Sequence, residues 1–268
     1  MGRRGRKVPN RLIKNCCAIG NTGKKYFLGG PKMAMINKTS KLYAGDKFAI
    51  TSTDGRKLRL VIEQDQFPED PRSWDNLGTM LCCHRDYQLG DCNSNRETEE
   101  QLAEICRKYG KSDEEIDEMT FSEEIQFILD QDDVCGLPLW IYDHSGISMS
   151  TRRQCSWDSS FVGLIFVEKD FYLAQMCLKD EKDWKAKAKE TLEGEVKTYS
   201  DFLEGNVYQW TLYEPIIEIR QSMDGKELSR KIDEEGEIVD SMCGFYSLTF
   251  EDADAYFDFK IAEIEKID

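Results

Sequence analysis

Short apolar runs that are rich in β-branched and aromatic residues, and that are bounded by turn residues, recur along the chain. Such runs are typical of buried strands. Two of them, LPLWIYD and FVGLIFV, flank a polar segment within residues 137–167 that contains His144, Cys155 and Asp158. We therefore predict a central strand pair whose polar connection carries these three side chains.

Strand patterns also occur on both sides of this central pair. Residues 42–65 form two runs around Asp54-Gly55, which predicts a hairpin with a tight turn. Nearer the end of the chain, NVYQWTLYEP alternates between apolar and polar positions, and Pro215 is expected to end that strand. Further strands are predicted in IIEIRQ and in GEIVDSMCGFYS.

Other segments show the spacing of three to four residues that is typical of amphipathic helices. Helices are predicted over about 98–109 and 121–130, each with apolar residues on one face and carboxylates on the opposite face. Three more are predicted over 169–178, over 182–192 with Gly194 ending the helix, and over 250–267. The predicted fold class is α+β, with a mainly antiparallel sheet, an acidic two-helix insertion at about 95–133 and a C-terminal helix.

Charge is unevenly distributed along the 268 residues, whose net charge is −15 at pH 7. Residues 1–66 contain 15 basic and 4 acidic side chains, whereas residues 91–133 contain 15 acidic and 4 basic ones. We interpret residues 1–15 as a flexible basic arm and residues 16–268 as a single α+β domain. Such asymmetry between two parts of a chain often reflects binding partners, although it also promotes solubility.

Several classes of protein are disfavoured by the composition. The chain has no apolar run of about 18 residues, the length needed for a membrane-spanning helix, so no membrane association is expected. The basic start is not followed by the apolar segment of a signal peptide, so the ten cysteines are expected to be reduced thiols. No cofactor is predicted.

Several segments together resemble a family of proteins encoded by bacteriophages and prophages. They are WDNLGTMLCCHRDYQLGD, LPLWIYDHSGISMST, WDSSFVGLIFV, FLEGNVYQWTLYE and VDSMCGFYS, and they fall within residues 54–247. The family has no assigned reaction, so the resemblance implies a setting rather than a mechanism. It implies a phage gene product located in the cytoplasm of the infected bacterial host.

Two kinds of enzyme site are compatible with the residue types. A thiol hydrolase could use Cys155 as nucleophile and His144 as base, with Asp143 or Asp158 to orient the imidazole and His84 as a further candidate. A metal site could draw on Cys82, His84 and Cys92, but adjacent cysteines on a strand point to opposite faces, so Cys82 and Cys83 could not both serve. The more ordinary interpretation is that these groups pack in the core or bind turn amides.

The acidic helices suggest a different function. A rigid row of carboxylates can compete with nucleic acid for arginine and lysine side chains. The leading hypothesis is a non-enzymatic phage protein that inhibits a host antiviral defence protein, such as a nuclease or guide complex. The alternative is a small thiol- or metal-dependent hydrolase. The basic arm could contact nucleic acid or an acidic partner, and homo-oligomerisation stays open. The residues expected to form the binding surface are Glu99, Glu100, Glu104, Asp113, Glu114, Glu115, Asp117, Glu118, Glu123 and Glu124.

Overall fold

The computed structural model describes residues 39–267, except for residues 145, 179–181 and 226. The predicted basic arm at 1–15 therefore lies outside the described residues, and the extent of the domain from residue 16 stays a prediction. The described strands are β1 (Lys47–Ser52), β2 (Lys57–Gln64), β3 (Thr79–Cys82), β4 (Val134–Asp143), β5 (Ile147–Ser150), β6 (Ser159–Glu168), β7 (Tyr208–Gln221), β8 (Glu227–Phe245) and β9 (Ile261–Ile267). The described helices are α1 (Asn95–Lys108), α2 (Asp113–Asp117), α3 (Phe121–Leu129), α4 (Lys169–Gln175), α5 (Trp184–Leu203) and α6 (Phe250–Asp254), together with a 3-10 turn at Pro71–Ser73.

The predicted α+β class is confirmed, and the strands form two antiparallel sheets. One sheet has four strands in the order β3-β6-β4-β5, and the other has five in the order β8-β7-β2-β1-β9. The predicted central pair is β4 with β6, in which Leu137 lies opposite Ile165. The predicted hairpin is β1 with β2, and its turn uses Gly55 at a φ of +90°.

The four-stranded sheet lies between two helical layers because its strands are apolar on both faces. Ile165 and Val167 of β6 pack with residues of α5 such as Leu192. Leu164 and Phe166 point to the opposite face, where they pack with residues of α1, α2 and α3. The acidic segment is therefore a layer that completes the core on one face of the sheet, and it contains a third helix, α2, that the pattern did not predict.

The five-stranded sheet has its own core and corrects the predicted C-terminal helix. Residues 250–254 are helical, but Ile261–Ile267 form strand β9 beside β1. Ile261 and Ile264 are three residues apart, which resembles a helical repeat. A register shift opposite Ser52 adds one residue to β9, and both isoleucines then pack against the same core. The bulge explains why the helical interpretation was wrong.

The predicted ends of one helix and one strand are also wrong. Helix α5 continues through Gly194, because its buried residues Leu192 and Val196 lie on both sides of that position and anchor both halves. This packing outweighs the cost of about 1 kcal/mol for a glycine in a helix. Strand β7 continues through Pro215, which lies at a register shift between Glu214 and Ile216. Pro215 is paired with no residue of β8, so its missing N–H costs no hydrogen bond between the strands.

Candidate functional site

The acidic helices are fixed at their N-termini by side-chain caps. Ser94 accepts a hydrogen bond from the Glu97 amide at the start of α1. Both α2 and α3 begin with capping boxes, in which Ser112 pairs with Glu115 and Thr120 pairs with Glu123. Their apolar sides are buried against the four-stranded sheet. The carboxylates are therefore carried on the outer side of a rigid layer.

Four of the ten predicted binding carboxylates already form ion pairs or hydrogen bonds within the helical layer. Glu100 pairs with Arg96 at 2.8 Å, and Asp113 pairs with Arg107 at 2.6 Å. Glu115 binds both Lys111 and the amide of Ser112, each at 2.9 Å. Glu123 accepts from the amide of Thr120 at 2.8 Å. These four carboxylates stabilise the helices and are less available to a partner.

The other six make no hydrogen bond or ion pair through their carboxylates within the described ranges. We define them as the acidic surface: Glu99, Glu104, Glu114, Asp117, Glu118 and Glu124. The basic side chains of residues 91–133 cannot neutralise them fully, because each is already paired. Arg96, Arg107 and Lys111 bind Glu100, Asp113 and Glu115, and Lys108 binds Glu168 at 2.5 Å.

Glu124 differs from the other members of the acidic surface in its burial and in the pKa of its carboxyl group. Five of the six carboxylates are exposed, and Glu124 is partly buried. Burial, together with the nearby Glu99 carboxylate, raises the pKa of Glu124 above its ordinary value. A cation bound between Glu124 and Glu99 would offset the repulsion between their carboxylates. The acidic surface is therefore electrostatically suited to a positively charged partner.

Only some of the predicted enzyme residues lie close together, and they do so at one end of the four-stranded sheet. The Asp143 amide donates to the Asp158 carbonyl at 3.0 Å, so the ends of β4 and β6 are joined. The Tyr87 hydroxyl donates to the Asp143 carboxylate at 2.9 Å. The His84 ring stacks on Tyr87 with centroids 4.9 Å apart. His84 and Asp143 are thus linked through Tyr87, an arrangement that the sequence did not predict.

The pKa of the Cys155 thiol is lowered, but within the described ranges its sulfur makes no hydrogen bond with His144, the predicted base. The backbone N–H groups of Trp157 and Asp158 favour the thiolate and lower the pKa of the Cys155 thiol. The His144 amide donates to the Gly146 carbonyl at 3.1 Å, and its ring lies 6.1 Å from that of Tyr142. Within the described ranges no hydrogen bond joins His144 to Cys155 or Asp158, so the predicted triad is not assembled here.

The predicted metal ligands line one shallow depression but do not form a ligand set. Cys82, His84 and Cys92 border a space of about 240 Å³. The Nδ1 atom of His84 accepts from the Asp86 amide at 3.2 Å, and burial raises the pKa of the Cys82 thiol. In residues 39–267, apart from the omitted positions, no group of three or more His, Cys, Asp or Glu side chains is arranged to hold a metal ion.

A buried ionic network that the sequence did not indicate lies beside this region. Arg72 binds both carboxylate oxygens of Asp91, at 2.7 and 3.0 Å, and one of Glu195 at 3.1 Å. The remaining acceptor sites bind backbone amides of Leu77, Gly78 and Met80. Because every charged group here has its partners inside the protein, we assign the network to stability rather than to ligand binding.

A scan against protein-family models and searches of curated proteins and of solved structures found no match. None of the described helices is long and apolar enough to cross a membrane, and the longest of them, α5, carries many charges.

Proposed function

We propose that the protein is a non-enzymatic binding protein whose acidic surface contacts a basic region of a macromolecular partner. One observation carries the proposal: within the described residues, the six carboxylates of the acidic surface make no direct ion pair, while the basic side chains of residues 91–133 are already paired. Holding like charges on a rigid layer costs stability, and a cationic partner would offset that cost.

We further propose that the partner is a host antiviral defence protein that handles nucleic acid, and that binding inhibits it. Two arguments support this more specific proposal. The sequence resembles phage-encoded proteins, which implies action in the cytoplasm of an infected bacterial host. Nucleases and guide complexes hold phosphates with arginine and lysine, and those side chains also pair with carboxylates.

A second candidate function is thiol-dependent hydrolysis, and Cys155 is the observation that favours it. Its lowered thiol pKa increases the thiolate fraction near neutral pH, which is a requirement for a cysteine nucleophile. A movement of the 144–158 region would be needed to bring His144 to the sulfur. Under this alternative, Cys155→Ala would abolish turnover of an ester or thioester probe, whereas binding through the acidic surface would be unchanged.

The primary test uses two charge-reversal variants as immobilised baits in lysate from a bacterial host. Asp117→Lys with Glu118→Lys removes two members of the acidic surface at the C-terminal end of α2, where lysine is compatible with the helix dipole. Glu190→Lys with Glu193→Lys makes the same charge change on exposed positions of α5, in the opposite helical layer. Mass spectrometry identifies the proteins retained by each bait.

We expect one or more nucleic-acid-binding proteins to be retained by the unaltered protein and by the α5 variant but not by the α2 variant. The purified partner should bind the α2 variant at least tenfold more weakly at about 0.1 M salt, and the difference should shrink as salt screens the charges. Nucleic acid should compete for the same partner. Equal retention by both variants, or no competition, would contradict the proposal.

A further inference from the structure

Helix α2 carries three members of the acidic surface but has little apolar packing of its own. Of its five residues, Asp113–Asp117, only Ile116 is buried. Ile116 belongs to the core that α1 and α3 share with the four-stranded sheet. One buried side chain can fix the position of a short helix, but it leaves the helix free to turn about that point. The direction in which Glu114, Asp117 and Glu118 project therefore depends on polar contacts.

Lys111 lies between α1 and α2, and its backbone is fixed by the end of α1. The chain leaves α1 through Gly110, whose φ of +94° suits glycine. The Gly110 amide donates to the Arg107 carbonyl at 2.9 Å. The Lys111 amide donates to the Cys106 carbonyl at 3.1 Å. These two bonds form a Schellman motif, which gives the Lys111 side chain a defined starting point relative to α1.

The Lys111 side chain reaches both of the other helices of the layer. Its Nζ atom donates to one carboxylate oxygen of Glu115 in α2 at 2.9 Å. The same atom lies 5.3 Å from the centre of the Phe127 ring in α3, within the range of a cation–π contact. The other Glu115 oxygen accepts from the Ser112 amide at 2.9 Å. The hydrogen bonds from Ser112 and Lys111 lower the pKa of Glu115, and Lys111 contacts all three helices at once.

The other basic side chains of the layer hold α2 less closely. Arg107 binds Asp113 at the first position of α2, but these side chains are 52 and 72% exposed. The Lys111 side chain is only 28% exposed, so solvent screens its contacts less. Arg96 and Lys108 pair with residues outside α2. Lys111 is therefore the basic residue best placed to set the orientation of α2.

We propose that Lys111 is the positioning residue of the acidic surface. By joining α2 to α1 and α3, it fixes the direction in which Glu114, Asp117 and Glu118 face a cationic partner. This inference rests on the proposed function, because it concerns how the same surface is presented. The charge of Lys111 itself opposes a basic partner. Its removal therefore has two effects of opposite sign, a stronger attraction and a poorer arrangement of the carboxylates.

These opposite signs make the substitution of Lys111 informative. Lys111→Ala removes one positive charge and frees the carboxylate of Glu115. Arg96→Ala is the matched control, because it removes one positive charge from the same layer and frees the carboxylate of Glu100. If charge alone determined binding, both variants would bind a cationic probe more tightly. Lys111→Arg keeps the charge and the reach of the side chain, so it should behave like the unaltered protein.

The binding test uses a fluorescein-labelled nona-arginine peptide as the probe, with the full chain and fluorescence anisotropy at about 0.05 M salt, where screening is weak. Arg96→Ala should bind the probe at least as tightly as the unaltered protein. Lys111→Ala should bind it about threefold more weakly, a loss comparable with that of roughly one exposed ion pair. Equal or tighter binding by Lys111→Ala would overturn the inference.

Amide hydrogen exchange tests the positioning role without a partner. Lys111→Ala should speed exchange in residues 113–118, and Lys111→Arg should not. Helices α1 and α3 should stay protected, because each has several buried residues of its own. Unchanged exchange in α2, or an equal rise in all three helices, would overturn the inference.

The double variant Asp117→Lys with Glu118→Lys separates this inference from the proposed function. It should weaken probe binding, since the probe is expected to contact the acidic surface. If it does so while Lys111→Ala does not, the positioning role fails and the proposed function stands. If the double variant binds the probe as well as the unaltered protein does, the proposed function is contradicted. The exchange rates then still decide whether Lys111 holds α2 in place.

Discussion

Arg72→Met should destabilise the fold strongly, because Arg72 is the centre of a buried ionic network. Its side chain is only 4% exposed, and its guanidinium also donates to the Gly78 carbonyl at 2.7 Å. Through Asp91 and Glu195 it connects the 3-10 turn, strand β3 and helix α5. Methionine fills a similar volume without charge, so the substitution isolates the loss of the ionic and hydrogen-bonding contacts.

The expected cost follows from what the substitution leaves behind. Asp91 and Glu195, whose side chains are 28 and 12% exposed, would keep their charges and lose the cation between them. Removing one partner of a buried ion pair costs about 3–5 kcal/mol. Partial exposure of Asp91 favours the lower value, so we expect about 3 kcal/mol. For a chain of this size, that corresponds to a fall in Tm of about 6–12 °C.

Urea denaturation followed by circular dichroism measures this change directly. Arg96→Met is the matched control, because Arg96 forms an ion pair with Glu100 in which both side chains are largely exposed, at 86 and 63%. Its removal should cost far less than the removal of Arg72, because solvent screens an exposed ion pair. Adding Asp91→Asn and Glu195→Gln to Arg72→Met should recover part of the loss. If Arg72→Met costs no more than Arg96→Met, the network does not stabilise the fold and the reasoning is refuted.

Two further predictions concern single positions. Cys155 should be alkylated by iodoacetamide faster than Cys83, because backbone N–H groups lower the pKa of the Cys155 thiol whereas burial raises that of Cys83 to about 11. The alkylation rate at Cys155 should rise at a lower pH than the rate at Cys83. Peptide mapping over a pH series measures both rates, and the reversed order would contradict the prediction. Gly194→Ala should raise the free energy of unfolding by about 0.5–1 kcal/mol, because alanine favours the helix and its methyl group would contact no atom of the described residues within 4 Å. A lower free energy of unfolding in urea denaturation would contradict this.

Local sequence patterns predicted the elements whose signals are local. The β1–β2 hairpin follows from Asp54-Gly55, and the central strands follow from their apolar runs. The C-terminal strand was misassigned because a bulge opposite Ser52 gives Ile261 and Ile264 a helix-like spacing. A bulge depends on the neighbouring strand, so the spacing within the segment cannot reveal it.

The candidate site shows the same division between local and distant signals. Arg72 and Glu195 are 123 positions apart, and no pattern in the sequence connects them. The capping boxes are different, because their signal is local. Many helices begin with a serine or threonine that is followed three residues later by glutamate. Ser112 with Glu115 and Thr120 with Glu123 match this motif. That signal was present in the sequence and would have assigned two of the ten acidic residues to helix stability.

The number of acidic residues is therefore a poor guide to a binding surface, and their local partners are a better one. Reversing Glu115 to lysine would remove its contacts with Ser112 and Lys111, so lost binding could follow from an altered α2. Asp117 and Glu118 have no such contacts within the described ranges and lie where the helix dipole favours a cation. A loss of binding on their reversal can be attributed to the surface charge itself, which makes this pair the decisive site for testing the proposed function.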